Sequence, residues 1–421
     1  MKGRYVGLVV LLMVAIVIAG CAQQTQQPAQ EKTPTPSGEK TATPAKPPDQ
    51  KPIKIGVLAP FSGPFSQYGN PYLKGAQFAV EEINAKGGVM GRPIELVIRD
   101  TKNNPSEAAT TFEELVYSEG VSAVIGPVSS DIGLATSRKA EELEVPLILN
   151  LAVTEKIHKE SNRYTFRANP AAPLWIIAAS EYIKEKGYKR IGVIVADYSF
   201  GHSIKEAVEK YISTIPGVTV QIEVAPVRES DFTPYLRKMA DLNPEFMLVT
   251  GHPPGAKIIM KQALELGFQS EGYIGAALLE DEWVSALGKS VTKGAMCFAG
   301  ADYSSEEYRK VAERYRAKTG EYLNYQALTG YVTILHLAWA IDKAGSDDPK
   351  KIAETIRNGK FETPLFVYPF EYTEWGDLKN ARLALEAFRE GEPPGNINPG
   401  AFWKVETVYV SSNLPALPPQ K

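Results

Sequence analysis

For about 250 residues the chain alternates between short apolar, β-branched runs and longer stretches with apolar residues at every third or fourth position. Residues 53–58 form a β-type run that ends in the turn chemistry Ala59-Pro60-Phe61-Ser62-Gly63-Pro64. Residues 71–86 then carry Leu73, Ala76, Val80 and Ile83 on one helical face, and Gly87-Gly88-Val89-Met90-Gly91 stops that helix before a strand at 94–98. Further strands are predicted at 123–125, 147–149, 190–195, 218–224, 246–250, 273–275 and 295–298. Helices are predicted among them at 107–118, 172–186, 203–215, 233–241 and 255–266. Repeated β–α units bury their apolar faces as parallel sheets covered by helices on both sides. About ten strands is more than one compact doubly wound sheet of this regularity holds. The expected fold class is therefore α/β with two Rossmann-like lobes. After residue 300 the pattern turns helical, at 305–318, 326–344 and 349–357, and 361–403 reads as short strands and turns.

The first fifty residues obey different rules. Lys2 and Arg4 precede an apolar run from Val6 to Ala19, followed by Gly20 and Cys21. A positive start, an apolar run of about 14 residues and small residues before a cut site describe a secretory signal. Such a run is short for a spanning helix. Ile18-Ala19-Gly20-Cys21 resembles a lipobox, in which Cys21 is lipidated and becomes the new N-terminus. From Ala22 to about Pro52 the composition shifts to Gln, Thr, Pro, Lys and Ser, too polar to offset its ordering entropy. A flexible chain of about 30 residues reaches roughly 30 Å, so residues 21–52 read as a disordered tether from a membrane surface.

Charge and composition exclude several classes. Forty-six Lys and Arg against 49 Asp and Glu give a net charge of −3 with no basic block, which argues against nucleic acid as a partner. Two cysteines exclude a disulfide framework and a thiolate zinc site, and Cys297 in an apolar stretch reads as core. Four histidines, at least 44 positions apart, form no metal-binding pair, so neither metal nor cofactor is expected. Gly288-Lys289-Ser290 mimics the end of a phosphate-binding loop, but Trp283 stands where that loop needs glycine. No GxSxG elbow is present, and His202 beside Ser203 is no triad. The chain is not expected to be an enzyme.

In open α/β sheets a ligand sits at the carboxyl ends of strands, beside helix N-termini. Three such junctions are rich in suitable groups: 60–69, 126–131 and 150–154. Ser130 can cap the helix after Ile125, where unpaired N–H groups suit a carboxylate; the alternative is a purely structural cap.

The block from Lys54 to Gly69, reading KIGVLAPFSGPFSQYG, closely resembles one family, as do Gly75-Ala76-Gln77 and the run from Glu82 to Gly88. The likeness continues through Val124-Ile125-Gly126-Pro127, Phe166-Arg167, Gly201, Asp231-Phe232 and Trp375-Gly376-Asp377. That family is the leucine/isoleucine/valine-binding proteins of ABC importers, of the type I periplasmic binding-protein fold, and the resemblance covers Lys54 to about Leu383. It implies two lobes joined by three crossovers, with the ligand in the interlobe cleft. It also implies boundaries: a signal peptide at 1–20, the lipidated Cys21 and tether at 21–52, and lobe one at 53–167 with a return at 301–362. Lobe two would be 168–300 with 363–405, leaving a tail at 406–421. The implied function is an extracytoplasmic, lipid-anchored solute-binding protein that closes on a branched-chain amino acid or related solute and delivers it to an ABC permease and its ATPase.

Residue by residue, the resemblance puts Tyr68 against the ligand side chain and Ser130 on the ligand carboxylate. Ala152 and Thr154 match the run that completes the carboxylate site, with a one-residue shift. Phe200 takes the place of a lobe-two aromatic, and His252 falls where the family often has tyrosine. The acidic residue that anchors the ligand's ammonium should fall at Ala277, which carries no charge, and the stretch after Arg167 reads Asn169-Pro170-Ala171-Ala172. Glu280 or Asp281 is then the substitute, or the solute is a carboxylate or small amide with no amine. A buried ammonium without a carboxylate partner would cost several kcal/mol. A ligand sensor on the same scaffold is the other reading. Such sensors usually carry a signalling segment, and here a signal and tether lead the chain while Pro418-Pro419 stands near its end.

Overall fold

A computed structural model describes residues 51–276 and 280–421, which fall in one compact unit, Asp49–Lys421. The leader, Cys21, the tether up to Gln50 and Ala277 lie outside the described residues.

The first sheet has five parallel strands, β1 (Ile53–Ala59), β2 (Ile94–Asp100), β3 (Ala123–Ile125), β4 (Leu147–Leu149) and β5 (Thr165–Arg167), in the order β2-β1-β3-β4-β5. Its crossover helices are α1 (Ser66–Ala85), α2 (Pro105–Tyr117) and α3 (Ser130–Leu143). The expected onset at residue 71 is too late for α1. Pro71 sits inside the helix, where its missing N–H forfeits only one hydrogen bond of the second turn, and Phe65 O accepts from Tyr68 N and Gly69 N at the start.

The chain then crosses to a second, seven-stranded sheet. It contains β6 (Arg190–Ala196), β7 (Thr219–Ala225), β8 (Phe246–Leu248), β9 (Gly272–Gly275) and β10 (Ala295–Ala299), all parallel. Helices α4 (Ala172–Lys186), α5 (Ser199–Tyr211), α6 (Thr233–Lys238), α7 (Ala256–Glu265) and α8 (Glu280–Leu287) accompany them. Helix α5 begins four residues before the expected Ser203, because His202 N already donates to Tyr198 O at 3.0 Å.

From β10 the chain returns to the first lobe as α9 (Glu306–Thr319), α10 (Tyr325–Ala344) and α11 (Pro349–Asn358). Helix α10 lies against α1 at backbone contact. A Cβ on Gly75 would stand 1.8 Å from Ala327 O, and one on Gly330 would stand 2.1 Å from Tyr72 O. Only glycine at both positions permits that approach.

A short ribbon, β11 (Lys360–Phe361) with β12 (Phe370–Glu371), leads into the third crossing, and β13 (Asn380–Ala381) precedes β14 (Ala384–Glu390) and β15 (Trp403–Val410). The last two add antiparallel to β10 and complete the order β15-β14-β10-β9-β8-β6-β7. The stretch expected as a tail from residue 406 is instead built into the fold. Strand β15 runs on to Val410, and β16 (Leu414–Pro415) pairs with β13. Gln420 N then donates to His158 O at 2.8 Å, on the first lobe.

Candidate functional site

The three junctions singled out in the sequence converge on the cleft between the lobes. Junction 60–69 supplies Phe65 and Tyr68, 126–131 supplies Val128, and 150–154 supplies Leu151 and Val153. The second lobe answers with Trp175 from the first turn of α4, Tyr198 and Phe200 around the start of α5, and Pro253 and Ala276 from the loops after β8 and β9. The walls are drawn together, leaving ≈ 10 Å³ between them, about one water molecule.

The rings pack edge-to-face or tilted. Phe65 meets Tyr198 across the cleft at 5.8 Å between centroids, and Trp175 meets Phe200 at 6.1 Å and 73°. Trp175 is pinned because its indole N–H donates to Pro170 O at 2.9 Å. The Tyr68 hydroxyl, buried from solvent, donates to Pro253 O at 2.7 Å, so one side chain of α1 bridges both lobes. Burial raises the Tyr68 and Tyr198 hydroxyls far above ordinary phenol, so both stay neutral.

A polar seam borders these rings. Ser130 opens α3, fully buried, and its Oγ accepts from Thr154 N at 3.2 Å. Thr154 Oγ1 shares a 2.7 Å hydrogen bond with Ser203 Oγ of the second lobe. The Ser199 hydroxyl donates to Asp131, and Lys156 pairs with Glu206 at 3.1 Å. Ser199, Ser203 and Glu206 are spaced four and three apart, one stripe of α5 facing the first lobe.

Behind the 151–154 loop lies the hinge. Arg167 at the end of β5 donates to Ala152 O at 3.1 Å and Thr154 O at 2.8 Å, and its Nε stands 3.1 Å from Asp377 Oδ1. The two side chains are 1% and 4% exposed. Burial raises the Asp377 carboxyl, and the facing guanidinium opposes that shift. Tyr368 and Tyr372 close the same crossing by donating to Ala168 O and Arg167 O at 2.8 and 2.9 Å.

Of the residues named from the sequence, Tyr68 and Phe200 line the cavity, and Ser130 and Thr154 form the seam beside it. Ala152 turns its methyl toward Gly133 of α3 and gives its carbonyl to Arg167; its neighbours Leu151 and Val153 face the cleft. His252 sits behind the wall. Its Nε2 donates to Pro226 O at 2.8 Å, its Nδ1 accepts from Gly255 N at 3.2 Å, and the ring edges onto Phe232. Glu280 is fully buried but off the cavity, accepting from the Tyr303 hydroxyl at 3.2 Å, and burial drives its carboxyl well above the usual carboxylate range. The sequence reading missed Phe65, Trp175 and Tyr198. A ring in a cleft and a ring in a core carry the same periodic signal, and only the position of Phe65 and Tyr198 beside strand-to-helix junctions could have flagged those two.

Two α/β lobes, three crossings and a ring-lined cleft that closes by interlobe hydrogen bonds define a protein that captures a small molecule between its halves. The chain belongs to the periplasmic binding protein family, whose match spans residues 52–380. It is 28% identical over 331 residues to the leucine-, isoleucine-, valine-, threonine- and alanine-binding protein of Pseudomonas aeruginosa, covering 78% of this chain and 87% of that one. A crystal structure of a leucine-binding protein from Thermotoga maritima superposes with a TM-score of 0.71 at 26% identity, over 85% of this chain and 98% of that one. A solute-binding protein of an ABC transporter from R. palustris, solved with benzoate, shares the fold with a TM-score of 0.72 at 19% identity, over 86% and 98% of the two chains.

Proposed function

We propose that this chain is the extracytoplasmic solute-binding component of an ABC importer, capturing a small solute by lobe closure and presenting the closed form to a membrane permease. The observation that carries this is the cleft, where rings from both lobes face each other and Tyr68, Thr154 and Ser199 reach across to the opposite lobe. A ligand that touches both lobes gains its full contact set only when they close, so it shifts the population toward the closed form. The similarity to amino-acid-binding relatives supports a solute with a carboxylate, held by Ser130 and Thr154 beside the start of α3. Tyr68 and Phe200 would hold the solute's apolar body.

Residues 1–20 would direct export, and Cys21 would carry the lipid that holds the protein at the membrane through the 21–52 tether. No helix among the described residues is long and apolar enough to cross a membrane. Calorimetry on the full chain with its cognate solute tests the site. Tyr68→Ala and Ser130→Ala should each weaken binding by about 1–3 kcal/mol through lost packing or a lost charge-assisted hydrogen bond. Unchanged affinity in both variants would place the solute elsewhere.

A further inference from the structure

We propose that the solute is a flat aromatic carboxylate that lacks an α-amine, an inference that rests on the solute-binding reading of the same cleft. Five of the ten residues that line the cavity are aromatic, Phe65 and Tyr68 from one lobe and Trp175, Tyr198 and Phe200 from the other. The other five are aliphatic or proline, so none carries a charge. The sequence continues past Ala276 with Ala277, Leu278 and Leu279, which are also uncharged.

The acids on adjoining elements face other surroundings: Asp281 and Glu282 line a separate recess with Lys74 and Glu321, where Glu282 pairs with Lys257. Asp131 accepts from the Ser199 hydroxyl, and Glu280 accepts from Tyr303 in a buried cluster that also holds the hydroxyls of Tyr308 and Tyr322. An ammonium drawn into this cavity would lose its hydration and meet no carboxylate. A carboxylate, by contrast, needs only donors, which the Ser130 and Thr154 hydroxyls can supply at the edge of the rings.

The shape of the cleft agrees with its chemistry. Phe65 and Tyr198 face each other from opposite lobes with centroids 5.8 Å apart. A planar ring inserted between them requires the lobes to part by about 3.5 Å, one aromatic thickness, and then finds stacked and edge contacts on both sides. A branched aliphatic chain is thicker and gains no ring–ring geometry from the same walls.

The test is a titration of the purified full chain with matched pairs: benzoate, phenylacetate and phenylalanine, then 4-methylpentanoate and leucine. Binding is followed by calorimetry and by tryptophan fluorescence in the wild type and Trp175→Phe. Benzoate or phenylacetate is expected to bind with a fluorescence change that Trp175→Phe removes. Each amino acid should bind at least about 100-fold more weakly than its amine-free counterpart. The aromatic acids should exceed 4-methylpentanoate by about 3–10-fold. Leucine or phenylalanine binding as tightly as the amine-free acids overturns the proposal and leaves solute capture intact. Glu280→Gln and Asp131→Asn would then identify the anchor by which of them abolishes that binding. Preference for 4-methylpentanoate over both aromatic acids overturns the aromatic assignment, and silence of every compound overturns the ligand class together with the reading of the cleft.

Discussion

Glu386 gives the sharpest quantitative expectation. It stands in β14 beside a register shift between Leu385 and Glu386, where a bulge re-aims side chains, and it points into the interior, fully buried. Thr407 on β15 donates to its Oε1 at 2.8 Å, while Oε2 has no protein partner. Burial, with Asp302 adding like charge and Thr407 opposing, pushes this carboxyl up from 4.5 to about 8. A raised folded-state value means that folding favours the protonated acid. The stability it allows is fully present below the unfolded value of 4.5 and is lost as the pH rises to about 8, after which the penalty is constant. The gap of about 3.5 units, at 1.36 kcal/mol each, amounts to about 5 kcal/mol. Glu386→Gln keeps the shape and the Thr407 contact and removes the titration. Urea denaturation of both proteins at pH 5, 7 and 9 measures the difference, from which titrations common to both cancel. The variant should gain on the wild type as pH rises, by about 4 kcal/mol between pH 5 and pH 9, since part of the loss is already complete at pH 5. A stability difference that stays constant across that range would refute the argument that Glu386 is buried as the neutral acid.

Asp377→Ala leaves the Arg167 guanidinium buried without its carboxylate and should cost about 3–5 kcal/mol in urea denaturation, with Asp377→Asn costing less. Gly330→Val drives a side chain into Tyr72 O, so a melting-temperature loss of several degrees and a weakened α1–α10 contact are expected, read by hydrogen exchange in both helices. Thr154→Ala, Ser203→Ala and the double variant form a cycle across the cleft; a coupling of about 0.5–1.5 kcal/mol in ligand affinity is expected, and additive effects would mean the 2.7 Å contact does not support closure. Cys21→Ser should release the protein from the membrane fraction, and retention would favour an uncleaved anchor.

The alternation of periods made the architecture legible, because a buried parallel strand and an amphipathic helix leave different marks on the sequence. Boundaries were less legible. Pro71 looks like a helix start because proline suits that position, yet the turn at Phe65 starts α1 earlier. The final strands were hard to read because β14 is buried almost throughout and β15 alternates only weakly. In the site, Ser130 stood out because it lies at a strand-to-helix junction, while Tyr68 and Thr154, at two further junctions, took their roles from the family resemblance. His252 and Glu280 were placed by the resemblance, His252 where the family often has tyrosine and Glu280 as the substitute for the acid absent at Ala277. Their directions depend on Pro226, Phe232 and Tyr303, partners between 20 and 26 residues away that no local pattern reports.

The groove that Gly75 opens on α1 is filled by α10, whose first residue comes 325 − 85 = 240 positions after the last residue of α1. During synthesis at about 5–20 residues per second, the first lobe would wait roughly 10–50 s for the helix that covers it. The N-terminal half would therefore spend that interval with an apolar helix face exposed, as a client for chaperones or an export machinery. Shortening the wait, by a circular permutation that brings α10 next to α1 in the chain, should speed folding by lowering contact order.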